Sequence, residues 1–162
     1  MDKIDRKIIT LLQADGQLSN QDLAEKIALS PSPCLRRVKQ LEEEGIIQKY
    51  VALLDPEKLG LQLAVFVTVG LNTHEPQIMA GFENAIKSFP EIVQCALIAG
   101  QEQDYILKIV IQNMEEYQAF LLQKLTQIKG IKSVCSSFIL RDIVNTTALP
   151  IFEKVHRQTR IK

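Results

Sequence analysis

Two prolines stand directly ahead of an arginine pair in the stretch from Ser30 to Gly45, SPSPCLRRVKQLEEEG. Proline costs little in the first turn of a helix, where the leading N–H groups have no carbonyl partner. The stretch therefore reads as a helix with a fixed start. Ser30 or Ser32 can be its N-cap and Pro31 or Pro33 its first residue, and Gly45 suits the left-handed position just past its end. On a helical projection Cys34, Val38 and Leu41 share one face. Ser32, Arg36, Lys39, Gln40 and Glu43 lie opposite, with Leu35 and Arg37 on the flanks. The chemistry such a face can do is recognition of a nucleic acid. The Ser30 and Ser32 hydroxyls can bond phosphate. Arg36 is placed to reach base edges, with guanine as its natural bidentate partner. Arg37, on the flank, suits a phosphate, and Lys39 and Gln40 are further candidates for base or backbone contact. Lys49, just beyond, could hold a phosphate beside the groove. The acidic run Glu42-Glu43-Glu44 would repel phosphate and is expected to point away from it, at the far end of the helix.

The remaining reactive side chains do not come together along the chain. Cys34, Cys95 and Cys135 are odd in number, widely spaced and outside any C-x-x-C pair. That argues against a disulfide framework or a zinc site and for three small buried hydrophobes. His74 falls in a strand–helix connection and His156 in the C-terminal tail, and neither has Cys, Asp or Glu at metal-ligand spacing. No Gly-rich phosphate loop or nucleophile elbow is present. No catalytic residue, metal or cofactor is expected, and the protein reads as a non-enzyme.

The whole chain sets bounds on this reading. Its 162 residues suit one domain or two small ones, and a 46% hydrophobic share suffices for a core. Lys plus Arg and Asp plus Glu each number 19, so positive charge for a nucleic acid must be concentrated locally. No apolar run approaches the roughly 18 residues that span a membrane. The N-terminus, MDKIDRKII, carries acids and lacks the apolar core of a signal peptide. No membrane partner is expected, and the expected location is the cytoplasm, with the nucleoid.

Elements that would position the reading face follow from periodicity. Ile4, Ile8, Leu11 and Leu12 form the stripe of a first helix, ended by Asp15-Gly16. Ser19 opens a second, with Asp22 near its positive end, and Leu29-Ser30-Pro31 breaks it. Two helices, a short turn and a third helix with an outward polar face make a helix-turn-helix, whose last helix enters the major groove. IIQKYVALLD reads as a strand pair, or wing, over residues 46–54, and residues 56–60 as a hinge. From Leu61 the pattern changes. LQLAVFVTVGL reads as a buried strand, 76–89 as a helix, 91–99 and YILKIVIQ as strands, 114–128 as a helix and 131–144 as a last strand. The fold class is α+β: a winged helix-turn-helix over 1–55, then a ferredoxin-like βαββαβ domain over 61–150 and a tail over 151–162. Helices on one face of such a sheet leave the other open. Ala64, Val65, Phe66 and Val67 are apolar on both faces, which suggests burial of that face in a homodimer.

These residues also carry a family resemblance. The I-D-x-x-I start, the block LSPSPCLRRVKQLEEEGII and the segment YVALLDP resemble the N-terminal half of the Lrp/AsnC transcription regulators. The second half resembles the same family in its βαββαβ order, its Gly followed closely by Asp-Tyr, and its final strand SSFILRDIVNTTALP. The resemblance spans roughly residues 1–150. It implies binding of double-stranded promoter DNA, a C-terminal domain that senses a free amino acid, leucine or another apolar one, and homodimers assembling commonly into octamers. It implies an effector loop from Gly100 to Tyr105, including Gln101. There Gly100 would let backbone N–H groups approach a carboxylate, Asp104 could pair with an ammonium and Tyr105 could supply a wall. Leu97, Ser136, Ser137 and Phe138 match family positions near that pocket. One departure stands out: the family spaces its Gly and Asp by two residues, whereas Gln101-Glu102-Gln103 intervene here, so the loop would place its ligand groups differently; the other reading of Asp104 is a strand-start residue capping its own turn.

Two rivals remain at this level. One is a nucleoid-architecture protein that wraps DNA without reading it. The other is an enzyme similar to the sirohaem decarboxylases, which share the two-domain shape, but two distant histidines fit that chemistry poorly. The tail IFEKVHRQTRIK, with four basic residues and one acid, reads as a frayed end or as a contact to DNA or a neighbouring subunit.

Overall fold

The structure, a computed structural model, describes residues 1–100 and 102–152. The chain forms two compact units, Met1–Leu53 together with the segment from Val144 on, and Leu54–Ile143.

The first unit holds three helices, α1 (Lys3–Ala14), α2 (Asn20–Lys26) and α3 (Pro31–Glu43). Asp2 and Asp5 start α1 as a reciprocal cap. The Asp5 N–H donates to Asp2 Oδ1 at 2.9 Å and the Asp2 N–H to Asp5 Oδ2 at 2.8 Å, satisfying two donors that a helix start leaves orphaned. Ser19 caps α2 by accepting from the Asp22 N–H at 3.1 Å. The apolar stripes meet in a small core of Ile8, Leu23, Ala24, Ile27, Cys34 and Leu41. Among the described residues the expected wing is not a strand pair: residues 46–54 form no strand. The N–H groups of Ile46 and Ile47 both turn back to the Leu41 carbonyl, at 2.9 and 3.0 Å, after Gly45 takes φ +70°. The segment's first amides thus close α3, and Val51, Leu53 and Leu54 run on exposed with no ladder partner. The segment from Val144, expected to complete the second domain, groups instead with the first unit. The Gln13 amide exchanges two hydrogen bonds with the Leu149 backbone, at 3.1 and 2.6 Å.

The second unit is a four-stranded antiparallel sheet with two helices. Its elements are β1 (Leu63–Leu71), α4 (Pro76–Ile86), β2 (Ile92–Leu97), β3 (Tyr105–Ile111), α5 (Met114–Gln123) and β4 (Ile131–Phe138), with strand order β2-β3-β1-β4. The register pairs Val65, Val67 and Val69 with Ile109, Leu107 and Tyr105 on one side and with Phe138, Ser136 and Val134 on the other. Directly paired residues share a sheet face. That face meets Phe82 and Ile86 of α4 and Tyr117 and Phe120 of α5 in the core. The opposite face carries Phe66, Thr68, Ile106, Lys108 and Cys135 by the same register, and Phe66 is 39% exposed.

Three elements end three or more residues earlier than their periodicity suggests, and β2 ends at Leu97 rather than 99. α4 stops at Ile86, and Phe89 turns back to the Ile86 carbonyl, because the residue ahead of Pro90 is pushed out of helical geometry. α5 stops at Gln123 and a 3₁₀ turn takes over at Leu125–Gln127. β4 stops at Phe138 rather than 144. The Ile139 N–H reaches the Ala64 carbonyl at 3.0 Å, and there β1 begins, so no ladder remains to extend. Cys34 is buried as expected, but Cys95 and Cys135 are exposed, and all three are free. Both exposed thiols sit on the edge strands, where cover is thinnest. Among the described residues no helix is long and apolar enough to cross a membrane.

Candidate nucleic-acid interface and effector loop

The start of α3 is set by three features. Ser30 is the N-cap in extended geometry and Pro31 the first helical residue. With prolines at positions one and three, Ser32 holds the remaining N–H of the leading three helical residues. The Asn20 side chain donates to the Pro31 carbonyl at 2.9 Å, tying the first residue of α2 to the first of α3. The connection passes through Ala28 at φ +56°, a left-handed conformation that a residue with a Cβ rarely takes. The Ser30 side chain does not cap the helix and is exposed.

Four of the residues expected to read DNA share one surface of α3. A shallow concavity of about 500 Å³ is lined by Ser32, Leu35, Arg36, Lys39, Gln40 and Glu43. Arg36 and Lys39 are exposed and make no ion pair among the described residues. Gln40 donates to Glu44 at 2.7 Å, and Glu42 accepts from the Tyr50 hydroxyl at 3.1 Å, so two of the three acids are engaged within the unit. Lys49 is exposed but lies on an irregular segment, not on a wing strand.

Arg37 differs from the expectation. Its Nη1 donates to Asp2 Oδ2 and to Asp5 Oδ1, both at 2.7 Å, and its side chain is 30% exposed. The flank position that suits a phosphate is also the one that faces the start of α1, and two carboxylates occupy it. The Asp5 backbone N–H and then the Arg37 guanidinium hold the Asp2 carboxyl down at about 2.

The residues assigned to the effector site do not assemble in one chain. Leu97 lies on β2 and Ser136, Ser137 and Phe138 on β4, at opposite edges of the sheet, about 14 Å apart at three strand spacings. Ser136 Oγ is hydrogen-bonded to the Tyr117 hydroxyl, and the Phe138 ring stands edge-on to Tyr117 at 5.5 Å. Leu97 lines a groove of about 390 Å³ with Ile86, Ile92, Cys95, Glu83 and Lys87. Tyr105 touches that groove too, but it is first a core residue. It is buried against Phe82 at 4.6 Å between rings, and its hydroxyl donates to Glu83 at 2.9 Å. Burial, then Glu83, pushes its phenol up to about 12.

Asp104 sits where the loop enters β3. Its Oδ2 accepts the Leu71 N–H at 2.7 Å and its Oδ1 meets His74 Nε2 at 2.6 Å. The Leu71 N–H first, then His74 and Lys132, hold the carboxyl below its ordinary range. Asp104 therefore already staples the end of β1 to the loop. Gly100 takes φ +98° with open space around it, a conformation suited to glycine. Gln101 lies outside the described residues, as do His156 and the tail from residue 153. Three roles escaped the sequence reading: those of Asn20, of His74 beside Asp104, and of Gly70. A Cβ on Gly70 would lie 2.7 Å from Ser133 Oγ, 3.2 Å from Gln103 Oε1 and 3.3 Å from the Glu102 carbonyl, so the loop rests on it. A glycine inside a strand is the signal that could have revealed this close approach.

Comparison with known proteins finds a family model in each half of the chain. The profile of a winged helix-turn-helix DNA-binding domain matches residues 1–48, and that of the Lrp/AsnC ligand binding domain matches 64–149. The chain is 42% identical to the Bkd operon transcriptional regulator of Pseudomonas aeruginosa, over 93% of this chain and 98% of the relative. It is 37% identical to the leucine-responsive regulatory protein of Escherichia coli, over 93% and 92%. A transcriptional regulator of Neisseria meningitidis solved with L-methionine superposes with a TM-score of 0.89 at 40% identity, over 93% of this chain and 96% of that one. The chain belongs to the Lrp/AsnC family of transcription regulators.

Proposed function

We propose that the protein is a sequence-specific DNA-binding transcription regulator whose grip on promoter DNA responds to a free, apolar amino acid. The observation that carries the DNA half is the single exposed surface of α3 on which Ser32, Arg36, Lys39 and Gln40 lie together. Arg36 would read a guanine edge. Ser30, Ser32 and Lys49 would bond phosphates that set the register. Such a reader works where the DNA is, in the cytoplasm. The effector half is supported by the Neisseria relative, solved with L-methionine, and by Asp104, a carboxylate that keeps lone pairs for an ammonium.

The separation of Leu97 from Ser136–Phe138 supports a site completed by a second copy, with Gly100 and Asp104 from one chain approaching the β4 edge of another. Homodimers would cover the open sheet face around Phe66, and their assembly into octamers would create such sites. Ligand then acts by binding one assembly state more tightly than another. Binding to duplexes with and without L-methionine or L-leucine, at fixed salt, tests the whole reading. An amino-acid-dependent change in affinity for a defined motif is expected. Motif-free binding that ignores amino acids would instead indicate DNA wrapping.

A further inference from the structure

We infer that Arg37 is a positioning residue for DNA reading: a strut from the recognition helix to the start of α1 that sets the rotation of α3 and leaves the phosphate contacts to other residues. The inference rests on the reading role proposed for α3. Apolar contacts alone fix that rotation weakly. The buried partners across the small core, Ile8, Cys34 and Leu41, attract without direction. Arg37 adds direction. One of its terminal nitrogens donates to two carboxylates on two residues at 2.7 Å each, and those carboxylates are themselves fixed by the reciprocal cap of α1. Asp5, at 16% exposure, is the more enclosed of the two.

Geometry converts this strut into a condition on reading. Successive helical residues are 100° apart, so a pinned Arg37 fixes the direction in which Arg36 leaves the helix. With side-chain tips about 6 Å from the axis, a 20° rotation moves them by about 2 Å, more than a hydrogen bond to a base edge tolerates. Electrostatics points the same way. Two carboxylates beside one guanidinium leave the cluster formally at −1, which makes it a poor place for phosphate. That explains why an arginine pair on this helix does not double its positive charge.

The test measures two quantities on folded full-length protein well below its melting temperature: the salt slope on random duplex DNA, and the ratio of affinities for a selected site and random DNA. A phosphate contact contributes about 0.9 to the slope. Arg37→Met is expected to leave the slope within about a third of that value, and to lower the specificity ratio about tenfold. Asp5→Asn should lower the ratio alike, and the double variant should be no worse than either single one, because both remove the same link. Lys49→Met is the comparison, with the slope reduced and the ratio kept. A slope reduced by about 0.9 for Arg37→Met with an unchanged ratio, or independent losses in the double variant, would overturn the inference while leaving DNA reading intact. A parent chain that binds all sequences alike would overturn both. Should Arg37→Met fail to fold, Asp5→Asn decides alone: a lowered ratio at unchanged slope supports the strut, and an unchanged ratio refutes it.

Discussion

Gly70→Ala should disturb the loop that carries Asp104. Gly70 pairs with Ser133 on β4, and its missing side chain is where the loop comes down on the sheet. A methyl group there would lie 2.7 Å from Ser133 Oγ, so the serine must rotate away and give up its 3.3 Å bond to Gln103 Oε1. A bond of this kind contributes about 0.5–1 kcal/mol. The Glu102 carbonyl, at 3.3 Å, must then retreat by a few tenths of an ångström. It can do so only with its neighbours, since the Asp104 N–H holds the Val69 carbonyl at 2.9 Å. Together these effects should cost about 1–2 kcal/mol. In a unit of this size that lowers the melting temperature by about 5–15 °C. Thermal melting followed by circular dichroism measures the cost, and titration calorimetry with L-methionine measures the consequence at the loop. Both stability and amino-acid binding should fall, while affinity for DNA without amino acid is preserved. A melting temperature within about 2 °C of the parent, with amino-acid binding unchanged, would refute the close approach at Gly70.

Other expectations follow from separate contacts. Arg36→Ala should weaken binding to a selected site by about 5–150-fold, the range for one bidentate base contact, and should relax preference at a single base position in a repeat selection. Ala28→Gly removes the Cβ from a left-handed turn and should stabilise the first unit by about 1 kcal/mol, seen as a raised denaturation midpoint. The Tyr105 phenol ionises near 10 when unfolded and only at about 12 when folded, so its contribution is fully present below pH 10 and is lost as pH rises toward 12. That difference corresponds to about 3 kcal/mol. Tyr105→Phe should therefore flatten the fall in urea midpoint between pH 10 and 12.

The parts of the fold that read clearly were those governed by local periodicity and breakers. The apolar stripe of α1, the proline start of α3 and the apolar, β-branched runs of β1 and β3 each follow from a rule that spans a few residues. The ends of elements were less legible because they depend on partners distant in sequence: β4 stops where β1 begins, and residues 46–54 cannot be strands without a second backbone beside them. Arg37 shows the same limit within the site. Its flank position was readable, but that Asp2 and Asp5 would meet it required the packing of α1 on α3. Tyr105 and Asp104 were recognisable as a motif, yet their present bonds, to Glu83, Leu71 and His74, depend on tertiary placement. Ser136 and Leu97 lie on opposite sheet edges because of strand order, which periodicity does not encode.

The central claim is tested most directly by selecting binding sites for the full chain from random duplex DNA, with and without a mixture of amino acids, at one fixed physiological salt concentration. The account predicts an enriched near-palindrome with half-sites about one helical turn apart, whose recovery changes when apolar amino acids are present. Recovery of DNA without any motif, indifferent to amino acids, would contradict it.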